Sequence, residues 1–179
     1  PHADAQRVVD MGAGSGPGGI AAARLAPGAP PTLVDIHADA LRLAKIHALA
    51  AGVTAELRQD SAAPPQADVI LANPPYMMDA GRRAYRDGGD LLGGGIALQW
   101  VSDALGSLAP GGTMLLYTGA AIVGGTSPLI AALQGACDGA AATLEVEEID
   151  PDVFGEELEQ EAYGDVERIA AIGAVIHVG

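Results

Sequence analysis

A chain of 179 residues is long enough to bury one full core and short for two, and 49% hydrophobic against 18% charged residues is the balance of a globular protein. Nine Lys and Arg stand against 23 Asp and Glu, and the resulting net charge of −14 excludes a general electrostatic footprint for DNA or RNA. No run approaches the roughly 20 apolar residues of a membrane helix, the single Cys137 cannot close an internal disulfide, and no Cys/His cluster has metal-ligand spacing, so no metal and no membrane partner are expected, in a reducing, cytoplasmic setting.

Short apolar runs alternate with longer helical ones. Residues 7–11 read as a strand, 18–25 as the helix after a run of glycines, and 27–31 as a turn. A second strand at 32–36 precedes a helix over 39–51, with Asp39 in its first turn. Residues 54–59 alternate, 68–72 form a buried-strand run, and 96–108 have helical spacing that makes Trp100 a core residue. Residues 113–118 are strand-like, 129–136 helical, and 144–149 and 168–178 are two closing strands. Strands alternating with helices imply a mostly parallel sheet covered on both faces, and two final strands without a clear helix between them imply an antiparallel pair. No repeat, linker or signal peptide is visible.

The run Val8-Val9-Asp10-Met11-Gly12-Ala13-Gly14-Ser15-Gly16 follows a strand and opens a helix. Glycines there let the backbone turn sharply and approach a ligand closely. Gly14 to Gly19 alone also fit the G-x-G-x-x-G dinucleotide fingerprint, which leaves a nicotinamide-dependent oxidoreductase open. Asp10, however, lies two residues before the first glycine, and Asp-x-Gly-x-Gly-x-Gly resembles the first motif of class I S-adenosylmethionine-dependent methyltransferases. The resemblance implies that the backbone of Gly12, Ala13, Gly14 and Gly16 borders the amino-acid part of the cofactor and that Asp10 helps hold its ammonium. Asp35 ends the second strand, where a carboxylate can accept from both ribose hydroxyls. Ile36 then lies against the adenine, and Asp60, with Ser61 beside it, is placed to accept from the adenine amino group. A strand-end Asp taken singly is more often a helix cap or a loop solvator. Three of them, after three successive strands and beside a glycine loop, favour the cofactor.

Asn73-Pro74-Pro75-Tyr76 follows the fourth strand. Two prolines remove two backbone donors and fix the path of the chain, leaving carbonyls free to face a ligand. An amide or exocyclic amino nitrogen is a poor nucleophile, because its lone pair is delocalised. The Asn73 side-chain oxygen and the Pro74 carbonyl can accept its two N–H groups, aim it, and stabilise positive charge as it develops, while Tyr76 offers a stacking face. With Asp35 and Leu108-Ala109-Pro110-Gly111-Gly112, these residues resemble the amino-methyltransferase branch of class I enzymes, which includes release-factor glutamine methyltransferases and adenine-N6 or guanine-N2 methyltransferases. The resemblance covers roughly residues 7–118. It implies a Rossmann-like α/β fold with a seven-stranded sheet, S-adenosylmethionine as cofactor and S-adenosylhomocysteine as product, and a protein or nucleic-acid methyl acceptor. Tyr85-Arg86-Asp87-Gly88-Gly89 is similar to a segment of the glutamine enzymes, but Asp90 to Gly95 depart from them. Because the first strand begins almost at residue 1, the chain is expected to be one catalytic domain over 1–179 that lacks an N-terminal substrate-recognition region.

Other features divide between two readings. Arg82, Arg83 and Arg86 form the one local basic cluster, either a site for a phosphate or an acidic substrate or a solvated loop with Asp79, Asp87 and Asp90 as neighbours. Residues 88–95 read as a loose loop. Residues 150–157, which hold the single Phe154, read as an acidic surface loop, or less readily as an overhang on the acceptor pocket. His2, His37, His47 and His177 are scattered and suggest no site. A non-catalytic partner subunit is a third function class, against which an intact Asn73–Tyr76 argues.

Overall fold

The computed structural model describes residues 5–179, so His2 lies outside the described residues. The elements in chain order are β1 (Val8–Met11), α1 (Pro17–Leu25), β2 (Thr32–Asp35), α2 (Ala38–Ala50), β3 (Glu56–Gln59), β4 (Ala67–Ala72), α3 (Gly95–Ser107), β5 (Leu108–Ile122), α4 (Pro128–Gly139), β6 (Ala142–Asp150) and β7 (Arg168–Val178). Two short 3-10 turns, Gly155–Glu159 and Glu161–Tyr163, lie between the last two strands. The seven strands make one sheet in the order β3-β2-β1-β4-β5-β7-β6, mostly parallel with an antiparallel C-terminal pair.

The chain divides into two compact units. The first holds the chain up to Asn73 with Asp103–Leu115 and His177–Gly179, and the second holds Pro74–Ser102 and Leu116–Ile176. In the first, β1 is buried along its whole length, as a central parallel strand requires. Leu41, Ala44 and Ala48 form the inner stripe of α2 at helical spacing. Leu41 and Ala44 pack with Ala13 and Leu33 into one core cluster. In the second, Leu129, Leu133 and Cys137 form the buried stripe of α4, which starts with Pro128 at its first position and Ser127 as its cap, accepting from the Ile130 N–H. Cys137 is thus a core residue with a buried thiol. Trp100 is half-buried on α3, less enclosed than its spacing suggests.

Element boundaries differ from the sequence reading most in β5 and β6. β5 begins at Leu108, five residues before 113, runs through Pro110, Gly111 and Gly112, and ends at Ile122, four residues after 118. The Gly112 backbone lies so close to its neighbours that a Cβ there would sit 2.8 Å from the Ala109 carbonyl oxygen and 3.0 Å from that of Ala67. β6 extends beyond 144–149 at both ends, and most of its residues are exposed, so apolar alternation could not mark its limits.

Register positions the site. Met11 pairs with Val34 on one side and Ala72 on the other, and Asp35 pairs with Gln59. Four parallel strands therefore end in step, and Gly12, Asp35, Asp60 and Asn73 all leave the sheet at its carboxyl edge. In open α/β sheets ligands bind outside that edge.

Candidate functional site

The glycine loop is fixed from below. α1 has Gly16 as its cap residue, at φ 85°, with no side chain to satisfy the first N–H groups. Asp10 supplies the missing acceptor, its Oδ2 accepting from the Gly19 N–H at 2.7 Å. The helix can come this close because residue 19 is glycine, where a Cβ would meet Leu33 Cδ2 at 2.3 Å. Burial, with repulsion from Asp35 added, pushes the Asp10 carboxyl up to about 6 despite that hydrogen bond. The role as helix cap, the bland alternative for a strand-end Asp, is thus present at position 10.

Asp35 fastens the loop from the next strand. Its Oδ2 accepts from the Gly14 N–H and its Oδ1 from the His37 N–H, both at 2.8 Å. Each oxygen keeps a further lone pair for a ligand hydroxyl. The Ala13 N–H donates to the Val34 carbonyl at 2.9 Å, and the Gly16 N–H to the Ala13 carbonyl at 2.8 Å. His47 adds a tether that the scattered histidines did not suggest. Its Nδ1 lies 3.0 Å from the Ser15 carbonyl oxygen, and a carbonyl only accepts, so this nitrogen carries the proton. A Cβ on Gly14 would meet nothing within 4 Å, and Ile36 is 53% exposed, so the loop backbone and an apolar face border open space. Asp60 is more occupied than expected. Arg58 donates to its Oδ2 from Nη2 at 2.8 Å and from Nε at 3.0 Å, while the exposed Ser61 donates its N–H to Oδ1. The Arg58 guanidinium holds the Asp60 carboxyl below the usual carboxylate range.

The motif after β4 differs in character along its length. Asn73 is exposed, and among the described residues neither its side chain nor the Pro74 carbonyl has a hydrogen-bond partner. Pro74 is buried. Tyr76 is half-buried in an aromatic group, its ring centroid 5.7 Å from Phe154 and 6.5 Å from Tyr117, the latter edge-on. Gly119 backs the same ring, since a Cβ there would meet Tyr76 Cδ2 at 2.6 Å. Burial raises the Tyr76 phenol above its ordinary value, so it stays neutral. The chain has one Trp, one Phe and four Tyr, and three of these residues meet here. Tyr117 was invisible in the sequence; the surrounding scarcity of aromatics was the available signal.

Residues 88–95, expected to be loose, are packed on this motif. The Gly88 N–H donates to the Met77 carbonyl at 2.7 Å, and the Met77 N–H to the Arg86 carbonyl at 3.1 Å. Gly93, at φ 93°, lies where a Cβ would be 2.4 Å from the Tyr76 carbonyl oxygen, so close approach demands glycine. The arginines beside it are paired. Arg83 is bidentate on Asp79, Arg82 lies 3.6 Å from Asp87, and Arg86 Nη2 reaches both Glu157 oxygens at 2.5 Å. Asp79 and Asp87 are the neighbours that the loop reading named, and Glu157 takes the place expected of Asp90. Conversely Phe154, expected on a surface loop, packs against Tyr76.

The methyltransferase small domain family matches residues 1–123, which include the glycine loop, Asp35, Asn73–Tyr76 and Leu108–Gly112. The chain belongs to the methyltransferase small domain family. It is a class I methyltransferase domain, an enzyme that uses S-adenosylmethionine, and the oxidoreductase reading falls with that assignment. No curated protein matches in sequence. Solved structures share the fold. TrmN from Thermus thermophilus is 23% identical over 97% of this chain and 44% of its own, with a TM-score of 0.60. The ribosomal protein L11 methylase from Lactobacillus delbrueckii subsp. bulgaricus is 16% identical over 98% and 72%, with a TM-score of 0.63. An O-methyltransferase from a Brevibacillus brevis polyketide synthase, bound to S-adenosyl-L-homocysteine, is 17% identical over 99% and 68%, with the same TM-score. Among the described residues no cluster of His, Cys, Asp and Glu could hold a metal, and no helix is long and apolar enough to cross a membrane.

The first unit's residues fit the cofactor. Gly14 and Ile36 border open space, and Asp35 has lone pairs to spare for a diol. Bound S-adenosylmethionine supplies an electrophilic methyl on a sulfonium centre; the protein's part is to hold it and to aim the acceptor.

Proposed function

We propose that this methyltransferase domain methylates a planar nitrogen, a protein glutamine amide or the exocyclic amine of a nucleobase, as in the Asn-Pro-Pro-Tyr branch. The observation that supports this most is the pair of unpartnered acceptors on adjacent residues, the Asn73 side-chain oxygen and the Pro74 carbonyl. Two acceptors suit a nitrogen with two N–H groups. They direct the remaining lone pair at the methyl and stabilise the cationic nitrogen formed on transfer, after which a proton leaves to solvent. A hydroxyl acceptor would instead require a base, and no residue of the motif titrates near neutral pH. In this reading Asp35 holds the ribose, Ile36 the adenine face, Asp60 and Ser61 the adenine amino group, and the glycine loop with Asp10 the amino-acid end. The partner that presents this nitrogen is a protein or a nucleic acid.

The test is labelled S-adenosylmethionine added to cell extract with wild-type protein or with Asn73→Ala, followed by mass spectrometry of the labelled product. Label on a planar nitrogen is expected. Asn73→Ala should abolish it with little loss of cofactor affinity, and Asn73→Asp should retain part of it. Label on oxygen, or wild-type labelling by Asn73→Ala, would overturn the proposal.

A further inference from the structure

The segment between β6 and β7 is tied to the chain that leaves Tyr76 at two independent points. Tyr163 is 1% exposed, and its hydroxyl accepts from the Met78 N–H at 2.7 Å. Met78 is two residues beyond Tyr76 and outside any strand, so no ladder holds it. Arg86 and Glu157 make the second tie, an ion pair with the Glu157 carboxyl largely enclosed. Arg86 also fixes the motif from its own side, because its carbonyl accepts from the Met77 N–H. Between the two ties lies a cluster of Met77, Tyr163 and Ile169, onto which Tyr76, Phe154 and Leu158 pack.

We propose that Tyr163 and the Arg86–Glu157 pair are positioning residues for methyl transfer, holding the backbone of Tyr76–Met78 in its working place. The inference rests on the reading of Asn73–Tyr76 as the acceptor motif. These groups touch no reacting atom. They act through the backbone: a donor at Met78 without its partner, or a segment released at Glu157, lets the Tyr76 ring wander, and a displacement of about 1 Å at a reacting centre can cost on the order of a hundredfold in rate. Cofactor binding is carried by Gly12–Gly16, Asp35 and Ile36 and does not depend on either tie.

The experiment compares Tyr163→Phe, Glu157→Gln, Ile169→Val and Asn73→Ala with wild type in the labelled-extract assay, below the melting temperature of each. Ile169→Val thins the same cluster without touching either tie and serves as the stability control. Tyr163→Phe and Glu157→Gln should lower the acceptor kcat/KM at least tenfold and leave the S-adenosylmethionine Kd within twofold, while Ile169→Val lowers only the melting temperature. Hydrogen exchange should quicken at the Met78 amide in Tyr163→Phe. Arg86→Glu combined with Glu157→Arg should recover activity that either single reversal loses. Wild-type kcat/KM in Tyr163→Phe and Glu157→Gln, with Asn73→Ala inactive, would overturn this inference alone. Undiminished labelling by Asn73→Ala would instead overturn the acceptor reading on which it rests.

Discussion

Two strand-end carboxylates that look alike in sequence do different work, and their surroundings say how to separate them. Asp10 is enclosed and titrates at about 6 in the fold, against 3.8 when free. The folded chain therefore binds its proton more tightly than the unfolded chain. The stability this contributes is fully present below about pH 3.8 and is lost as pH rises through about 6. Asp10→Asn keeps an acceptor for the Gly19 N–H and removes the charge. It should be more stable than wild type by about 1–3 kcal/mol near pH 8. The advantage should shrink toward pH 4, as read by thermal melts across that range; equal pH dependence in both proteins would contradict it. Asp35 carries two backbone N–H groups, each bond to a charged acceptor being worth about 1.5–3 kcal/mol. Asp35→Ala should therefore loosen the glycine loop and lose measurable S-adenosylmethionine binding in titration calorimetry. Unchanged affinity would leave Asp35 as a loop fastener alone.

Whole elements were legible where a period was strong and illegible where packing set the outcome. Strands β1, β2 and β4 and helices α1 to α4 followed from apolar runs and helical spacing, and the glycine loop fixed where α1 begins. The start of β5 was hidden because Pro110 and Gly111 argue for a turn by composition. The packing of residues 88–95 was hidden because glycine signals freedom as readily as close approach, and only the Tyr76 carbonyl beside Gly93 tells which applies. The segment after β6 looked like solvated acid because its one anchor charge, Glu157, is a single acid among many, and its partner Arg86 lies 71 residues away. Gly19 is the case in which sequence and packing agree, and it can be tested as an element contact. A Cβ there strikes the Leu33 side chain rather than backbone, so Gly19→Ala should cost about 1–3 kcal/mol by forcing α1 off β2. Leu33→Val in the same chain should recover part of that loss by making room. Urea denaturation of the two singles and the double gives the coupling, and strictly additive losses would mean that α1 is held elsewhere.

Charge is the property of the molecule as a whole that bears most directly on its partner. With 9 basic residues against 23 acidic ones, the long-range field opposes any polyanion. The basic cluster that could have offset this is already engaged, Arg83 with Asp79, Arg82 with Asp87 and Arg86 with Glu157. Non-specific affinity for duplex DNA comes from phosphates neutralised by Lys and Arg, with a salt slope of about −0.9 for each. A phosphate approaching these arginines must displace a carboxylate that stays nearby, so each contact would gain little. The domain should therefore bind short RNA and DNA weakly, with a shallow salt dependence, and a nucleic-acid acceptor would require a basic surface outside residues 1–179, whereas a protein acceptor would not. Fluorescence-anisotropy titrations of both nucleic acids at two salt concentrations measure this. Affinity above about 1 μM in Kd with little change between them is expected. Submicromolar binding at physiological salt with a steep slope would show that the domain carries its own nucleic-acid surface, and would narrow the acceptor to a nucleobase.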